Sequence, residues 1–542
     1  MNQNPTSHSS KLLQWLKFFI VVILTLGIFL RFTYLDKRVY WIDEVATSFR
    51  VSGYTLKDVT HKIYNDQIQE AKELLRYQKP NSEKRVNDTL KSLATEDSQH
   101  PPLYYLIAQI WTNLVGYSPQ LMRGLSVLFS LLTFPLFYWL CLELFEYPIF
   151  GWIAIALTSV SFLHISYAQE SREYSLWIVT LLLSSVTLLR AIKFGTPISF
   201  TLYTISTIAG LYTFPLTAIV LVGQGLYVII TEKFRLTKTV IHFLTASSIA
   251  VLAFLPWISI MSKNTARLSS TNTWMLAQHS IQDLLSIGLI NLTDVFIGYP
   301  SKFSLFFILL LVYSLYFLCR EAPQRIWLFI LMLMIPIQIS FAFSDLFFQT
   351  SLSFYSRYNW PCLLGSQLSL TYMIGTFLTK CNPQKRYFKV IGIIILILTI
   401  LASSIKSTLS LTKYKDNQIY RAAEIINQSS RPLVINFIPS DNNESEKVSK
   451  MIDITDIGDI FSLSYLLQDR VKLLLLKQTN ILHNIDQFDD VFILYVSYKP
   501  QEQPEKPEAI KQLLETNQQQ DYKLSPIRLS EGENIILWKV KK

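Results

Sequence analysis

At 542 residues, with 50% hydrophobic, 13% aromatic and only 16% charged side chains, the chain is too apolar for a soluble protein of its length. Its net charge of +10 lies ahead of Ala402, since basic and acidic residues nearly balance beyond that point. That placement suits orientation charges on cytoplasmic loops and argues against a nucleic-acid patch.

Met1 to Ser10 is polar and expected to lack order, and Lys11 and Lys17 then precede the apolar run Phe18–Phe32. No small-residue cleavage site follows, and Arg31, Tyr34 and Trp41 have the makeup of interface anchors. The run reads as an uncleaved first span with a cytoplasmic N-terminus. Asp36 to Gln99 is polar and helix-friendly, with Leu74, Leu75, Val86, Leu90 and Leu93 as scattered apolar positions, and is expected to be an external loop.

Leu103–Val115 is apolar but shorter than the roughly twenty residues a span needs. If it crossed, Gln169-Glu170 would face away from Asp43; if it lies in the interface, both face outward. Charge on the later loops decides. With Leu103–Val115 interfacial, further spans fall near 121–143, 149–166, 174–191, 198–213, 216–230, 239–258, 304–319, 326–343, 358–378 and 389–404. The short cytoplasmic loops then carry Lys193; Lys233, Arg235 and Lys238; Arg320 and Arg325; and Lys380, Lys385, Arg386 and Lys389, as the positive-inside rule requires.

The expected fold is a polytopic α-helical membrane protein of about eleven spans with a small C-terminal α/β domain. Residues 1–404 form the membrane domain, with external loops at 36–120, 167–173, 259–303 and 344–357, and residues 405–542 form the extracytoplasmic domain. In the latter, helices are expected at Gln418–Asn427, Ile457–Leu467 and Ala509–Thr516, and strands at Pro432–Ile438, Val471–Leu475, Val491–Val496 and Asn534–Val540. Cys141, Cys319, Cys362 and Cys381 show neither metal spacing nor a disulfide framework, and are expected to pack.

The chosen topology gathers chemistry-bearing residues on one side. Asp43-Glu44 follows the first span closely, where a carboxylate can serve as general base towards an acceptor hydroxyl or amine. His100-Pro101-Pro102 opens the interfacial helix, and prolines suit that position on structural grounds alone. Gln169-Glu170-Ser171-Arg172-Glu173 packs charge between two apolar spans. Arg172, Arg123 and Arg357 are candidates for a phosphate, whose oxygens match the guanidinium fork. Taken singly, each of these also suits a solvated loop or a snorkelling side chain. Together, on one face of a membrane where charge is costly unless used or hydrated, they point to a site.

Three blocks in order, Trp41-Ile42-Asp43-Glu44, then His100-Pro101-Pro102-Leu103-Tyr104-Tyr105 with Arg123 downstream, then Tyr167-Ala168-Gln169-Glu170-Ser171-Arg172-Glu173-Tyr174, resemble the glycosyltransferase C superfamily. The resemblance is to its bacterial branch, related to protein O-mannosyltransferases and lipid A aminoarabinose transferases, with weaker echoes at Leu211-Tyr212-Thr213, Leu255-Pro256-Trp257 and Arg357-Tyr358. It implies inverting transfer from a polyprenyl-phosphate sugar to a protein, lipid or glycan acceptor, on the extracytoplasmic face of the plasma (inner) membrane. By that resemblance Asp43 is the base and Glu44 its acidic neighbour, Arg172, Arg123 and Arg357 attend the lipid phosphate, and His100, Glu170 and Tyr358 belong to the substrate site. Many relatives carry Asp where this chain has Glu170, which leaves open whether Asp43 and Glu170 share a divalent cation. Two other classes compete. A transporter or flippase of lipid-linked saccharide places ionisable residues or broken helices at mid-membrane, and an assembly factor working through its C-terminal domain leaves Asp43 dispensable.

Overall fold

A computed structural model describes residues 5–81, 83–265, 267, 275–276, 279–298, 304–380, 383–411, 418–437, 454–476, 485–494, 523–527, 529 and 537–541. The chain opens with α1 (Pro5–Phe32), so helix begins at Pro5, within the stretch expected to lack order. Next come α2 (Ile42–Val51), α3 (Leu56–Ile63), the short strand β1 (Ile68–Glu70), α4 (Val86–Glu96) and α5 (Leu103–Val115). The main bundle continues with α6 (Pro119–Phe145), α7 (Pro148–Ser159), α8 (Phe162–Ala168), α9 (Tyr174–Phe194), α10 (Pro197–Thr213), α11 (Thr217–Thr231) and α12 (Lys238–Lys263). After α13 (Ile281–Asn291) it closes with α14 (Ser304–Glu321), α15 (Gln324–Phe347), α16 (Trp360–Thr379) and α17 (Pro383–Leu411).

Every expected span position holds a helix. Among the described residues seven helices are long and apolar enough to cross a membrane, and α7 with α8, bent by 63° at their junction, make an eighth candidate. Helices α10 and α11, of 17 and 15 residues, are short for lone spans. Helix α16 is buried along nearly its whole length, a central post around which the others pack. Leu, Ile and Phe side chains exposed along α12, α14 and α17 give the bundle the apolar exterior that lipid requires. The chain is an integral membrane protein.

The α7–α8 break is held by Arg31, which is fully buried rather than an interface anchor. Its guanidinium donates to the carbonyls of Ser159 (2.9 Å), Thr158 (3.0 Å) and Gly27 (2.8 Å), and to Ser130 Oγ (2.9 Å). Carbonyls at the end of α7 lose their helical partners at the bend, and in a membrane no water replaces them. Gly27 makes the approach feasible, since a Cβ there would stand 2.3 Å from the Ser159 carbonyl oxygen. Cys141 and Cys362 are buried as expected, Cys319 is exposed, and Cys381 lies outside the described residues.

Beyond α17 lie α18 (Gln418–Gln428), β2 (Pro432–Phe437), α19 (Ile454–Ser464), β3 (Lys472–Leu476), β4 (Asp490–Leu494), β5 (Lys523–Ile527) and β6 (Leu537–Lys541). The helix expected at 509–516 lies outside the described residues. The sheet runs β1-β3-β2-β4-β6-β5, with β2 parallel to both β3 and β4 and the other pairs antiparallel. Its edge strand β1 comes from the first loop, Ile68 lying opposite Leu474. Val45, Phe49 and Leu74 of that loop share one core with Ile426, Phe461 and Leu473, so the loop and the C-terminal α/β unit pack as one layer over the bundle.

Candidate active site

Helix α2 begins immediately after Trp41 and carries Asp43 and Glu44 in its first turn, where the helix dipole favours acids. Successive helical residues diverge by about 100°, so the two carboxylates face different surroundings. Asp43 lines a cavity of about 960 Å³, while Glu44 points into the protein and is 1% exposed. Of the eight residues named from sequence, six line the cavity: Asp43, His100, Glu170, Arg172, Arg357 and Tyr358. Tyr167, Phe214 and Phe354 give it aromatic walls.

Glu44 and Arg123 stand behind the wall. Arg123 Nε and Nη2 reach the two Glu44 oxygens at 2.8 and 2.5 Å, while Nη1 and Nη2 donate to the carbonyls of Leu35 (2.6 Å), Arg38 (3.1 Å) and Val39 (3.1 Å). Glu44 also accepts from the backbone N–H (3.0 Å) and hydroxyl (3.1 Å) of Ser171. With every guanidinium nitrogen engaged and the side chain buried, Arg123 ties the first loop to α6 and to the Gln169–Glu173 turn rather than facing the cavity. Removing one member of such a buried pair costs about 3–5 kcal/mol.

The Gln169–Glu173 turn joins α8 to α9 and is pinned at its start by Gln169, which donates to the carbonyls of Leu30 (2.6 Å) and Thr33 (2.9 Å) at the end of α1. Arg172 reaches Thr47 Oγ1 (3.3 Å), the Asp43 carbonyl (3.4 Å) and His100 Nε2 (3.2 Å). Arginine only donates, so His100 Nε2 accepts and the ring carries its proton on Nδ1, which donates to Glu173 at 2.7 Å. Burial alone would lower the Arg172 pKa, but Glu173, Tyr105 and Asp43 hold it well above the usual value. Burial likewise pushes Glu173 up, and Arg172 and His100 outweigh it, leaving the carboxylate at about 2. Trp257 holds the approach to His100 by donating to the Ser98 carbonyl at 3.0 Å.

Arg357 closes the cavity opposite α2, with Nη1 3.2 Å from Asp43 Oδ2. It lies over the rings of Tyr355 (5.2 Å) and Tyr358 (5.1 Å), and Tyr358 stacks on Phe214. Burial works against its charge, but Tyr174, Tyr358 and Asp43 raise its pKa above the ordinary value. Its loop hangs on Asp345 at the end of α15, which accepts from Thr350 Oγ1 (2.6 Å), Leu352 N (2.8 Å), Ser353 N (2.9 Å) and Ser353 Oγ (2.5 Å).

Glu170 is 7% exposed, and its carboxylate takes no hydrogen bond from any described residue. Burial, then the nearby Glu44 charge, push it up to about 7. Asp294 also lines the cavity, accepts from Ser356 Oγ at 2.5 Å, and is pushed up to about 6 by burial. Among the described residues no cluster of three or more His, Cys, Asp or Glu side chains suits a metal ion. Asp43 Oδ2 has Arg357 as its neighbour. Sequence reasoning gave no role to Glu173, Asp294 or Arg38, which lines the cavity and donates to the Ser166 carbonyl at 3.1 Å. Glu173 was visible as a charge within the third block, whereas Asp294 and Arg38 had only their places in long loops.

No family model and no curated protein matches the chain. Among solved structures, ArnT from Cupriavidus metallidurans bound to undecaprenyl phosphate aligns with a TM-score of 0.51 at 11% identity, over 96% of this chain and 98% of that one. The apo state of the same protein gives 0.52 at 11% identity, over 96% and 97%. The apo oligosaccharyltransferase of Archaeoglobus fulgidus gives 0.43 at 10% identity, over 86% and 66%. The likeness to ArnT extends over nearly all of both chains, and this chain shares the fold of that protein.

Proposed function

We propose that this protein is an inverting glycosyltransferase that moves a sugar from a polyprenyl phosphate to an acceptor hydroxyl or amine at the extracytoplasmic face of the plasma membrane. One observation carries the reading: in an integral membrane protein of glycosyltransferase C fold, the Asp43 carboxylate meets Arg357 across a cavity into which Arg172 also faces. The ArnT structure with undecaprenyl phosphate supports a polyprenyl phosphate as the donor's lipid.

In this reading the donor phosphate takes Arg357 as its partner and so releases Asp43. The acceptor oxygen or nitrogen attacks the anomeric carbon from the face opposite the phosphate. As that bond forms, the carbon–oxygen bond to phosphate breaks, and its electron pair leaves on the polyprenyl phosphate. Arg357 and Arg172 stabilise the negative charge that grows there. Asp43 takes the acceptor proton, a role worth about 10²–10⁴-fold in rate. Arg123 acts as a positioning residue through Glu44, not as a phosphate contact.

Donor-dependent transfer by purified protein in lipid, wild type against Asp43→Asn, tests this. Turnover of the variant should fall by about 10²–10⁴-fold with the protein still folded and donor still bound. Near-normal turnover would remove Asp43 from the base role. Movement of lipid-linked sugar across the bilayer without transfer would instead identify a transporter.

A further inference from the structure

The active-site helix α2 is supported from outside the membrane domain. Helix α19 lies along it: Phe461 meets Phe49 edge-on at 4.7 Å, and Tyr465 meets Tyr40 at 5.0 Å. Gly458 sits against Ile42, the residue before Asp43, so closely that a Cβ would stand 2.3 Å from Ile42 Cγ1. Ile454, at the start of α19, reaches the cavity wall.

A polar connection runs through the same contact. The Tyr465 hydroxyl donates to Gln78 Oε1 at 2.7 Å and touches the Tyr117 hydroxyl. Tyr117 meets Ser48 Oγ at 3.1 Å, Ser48 meets the Tyr40 hydroxyl at 2.6 Å, and Tyr40 meets Ser171 Oγ at 3.3 Å. Ser171 donates to Glu44 at 3.1 Å, one residue from Asp43. Ser48, Tyr40, Ser171 and Glu44 are each no more than 2% exposed. Packing alone would be served by phenylalanine at these tyrosines. A satisfied run of buried hydroxyls fixes one arrangement, because a shift leaves partners unmet at a low dielectric.

We propose that α19 and Tyr465 are positioning elements of the active site, holding α2 where the Asp43 carboxylate meets the cavity. This rests on the reading of Asp43 as base. It gives the C-terminal unit a part in turnover itself, through a helix and a hydroxyl rather than through a substrate contact.

The test compares full-length wild type, Tyr465→Phe, Gly458→Ala, the double variant Gly458→Ala/Ile42→Ala, and Arg431→Ala as a control on the far, exposed ion pair with Asp489. Kinetics are scaled to the folded fraction, and amide exchange is followed over residues 42–51. A misplacement near 1 Å costs about 10²-fold, so Tyr465→Phe and Gly458→Ala should each lower kcat by about ten-fold, with donor KM unchanged and faster exchange in α2. Shrinking Ile42 should recover most of the Gly458→Ala loss, and Arg431→Ala should be silent. Wild-type kcat per folded molecule in both single variants would overturn the proposal, as would a change in donor KM alone. If wild type transfers from no polyprenyl-phosphate donor, the functional reading fails, and unchanged exchange over 42–51 would then overturn the positioning role on its own.

Discussion

Asp43 and Glu44 are neighbours in sequence with separate tasks, because the divergence of about 100° between successive helical residues sends one to the cavity and the other to Arg123. Glu170 shows a third outcome for a carboxyl. Its pKa rises from the usual 4.5 to about 7, so the folded state binds more protons than the unfolded chain between those values. Its protonated form therefore favours folding below the unfolded pKa. That contribution is lost as pH rises towards the folded value, at most about 1.4 kcal/mol per pH unit. Asp294, raised from 3.8 to about 6, acts in the same direction at lower pH. Glu170→Gln should remove its share of the slope, raising the thermal midpoint relative to wild type more at about pH 8 than at about pH 5. Parallel profiles for the two proteins would mean that Glu170 ionises as readily in the fold as outside it. At this scale sequence located the acids and arginines but not their pairings. Arg123 and Glu44 are far apart in the chain, and a lone arginine near an acidic motif looks the same whether it holds a phosphate or a carboxylate. Only the bidentate geometry separates the two.

At the scale of elements, hydropathy located each helix of the bundle, since lipid imposes long apolar runs whatever their packing. Charge on the later loops, not hydropathy, led to the reading of α5 as interfacial; in the structure the Asp43 and Gln169–Glu173 stretches meet, with Ser171 N 3.0 Å from Glu44. The bend at Val160 was hidden because neither glycine nor proline marks it; its support comes from Arg31, on another helix. The loop bearing Arg357 is likewise set from outside itself. Asp345 gathers four donors there, and an amide in its place can accept on only one oxygen, which leaves buried N–H or O–H groups unmet. Asp345→Asn should therefore loosen the loop and reduce the share of molecules with Arg357 in place, weakening apparent donor affinity by about ten-fold, or about 1.4 kcal/mol. Donor KM measured at saturating acceptor checks this. An unchanged value would show that the other contacts to the loop suffice.

At the scale of the molecule, the expected split at 404/405 conceals a shared layer. Helix α17 continues to Leu411, and a three-residue strand of the first loop completes a sheet built mainly after residue 430. Sequence had no means of pairing Ile68 with Leu474, because β1 is too short to show alternation and its partner is remote. The two ends of the bundle differ in charge as well as in cover. Away from the cavity, Glu143 pairs with Arg190 (2.9 Å) and Lys193 (3.7 Å), Arg325 with Glu146 (3.0 Å), and Lys380 with Glu321 (3.9 Å). In the orientation we propose from the positive-inside rule, the basic connections collected there, Arg235 among them, lie in the cytoplasm and the cavity and shared sheet face outward. Single cysteines at Glu83 and Arg235, both exposed and at opposite ends, decide the matter in a background without the native thiols. A membrane-impermeant maleimide applied to intact cells should label Glu83→Cys and leave Arg235→Cys unlabelled until the membrane is opened. The reverse pattern would put Asp43 in the cytoplasm. It would withdraw the extracytoplasmic reaction while leaving the fold and the geometry around Asp43 as they stand.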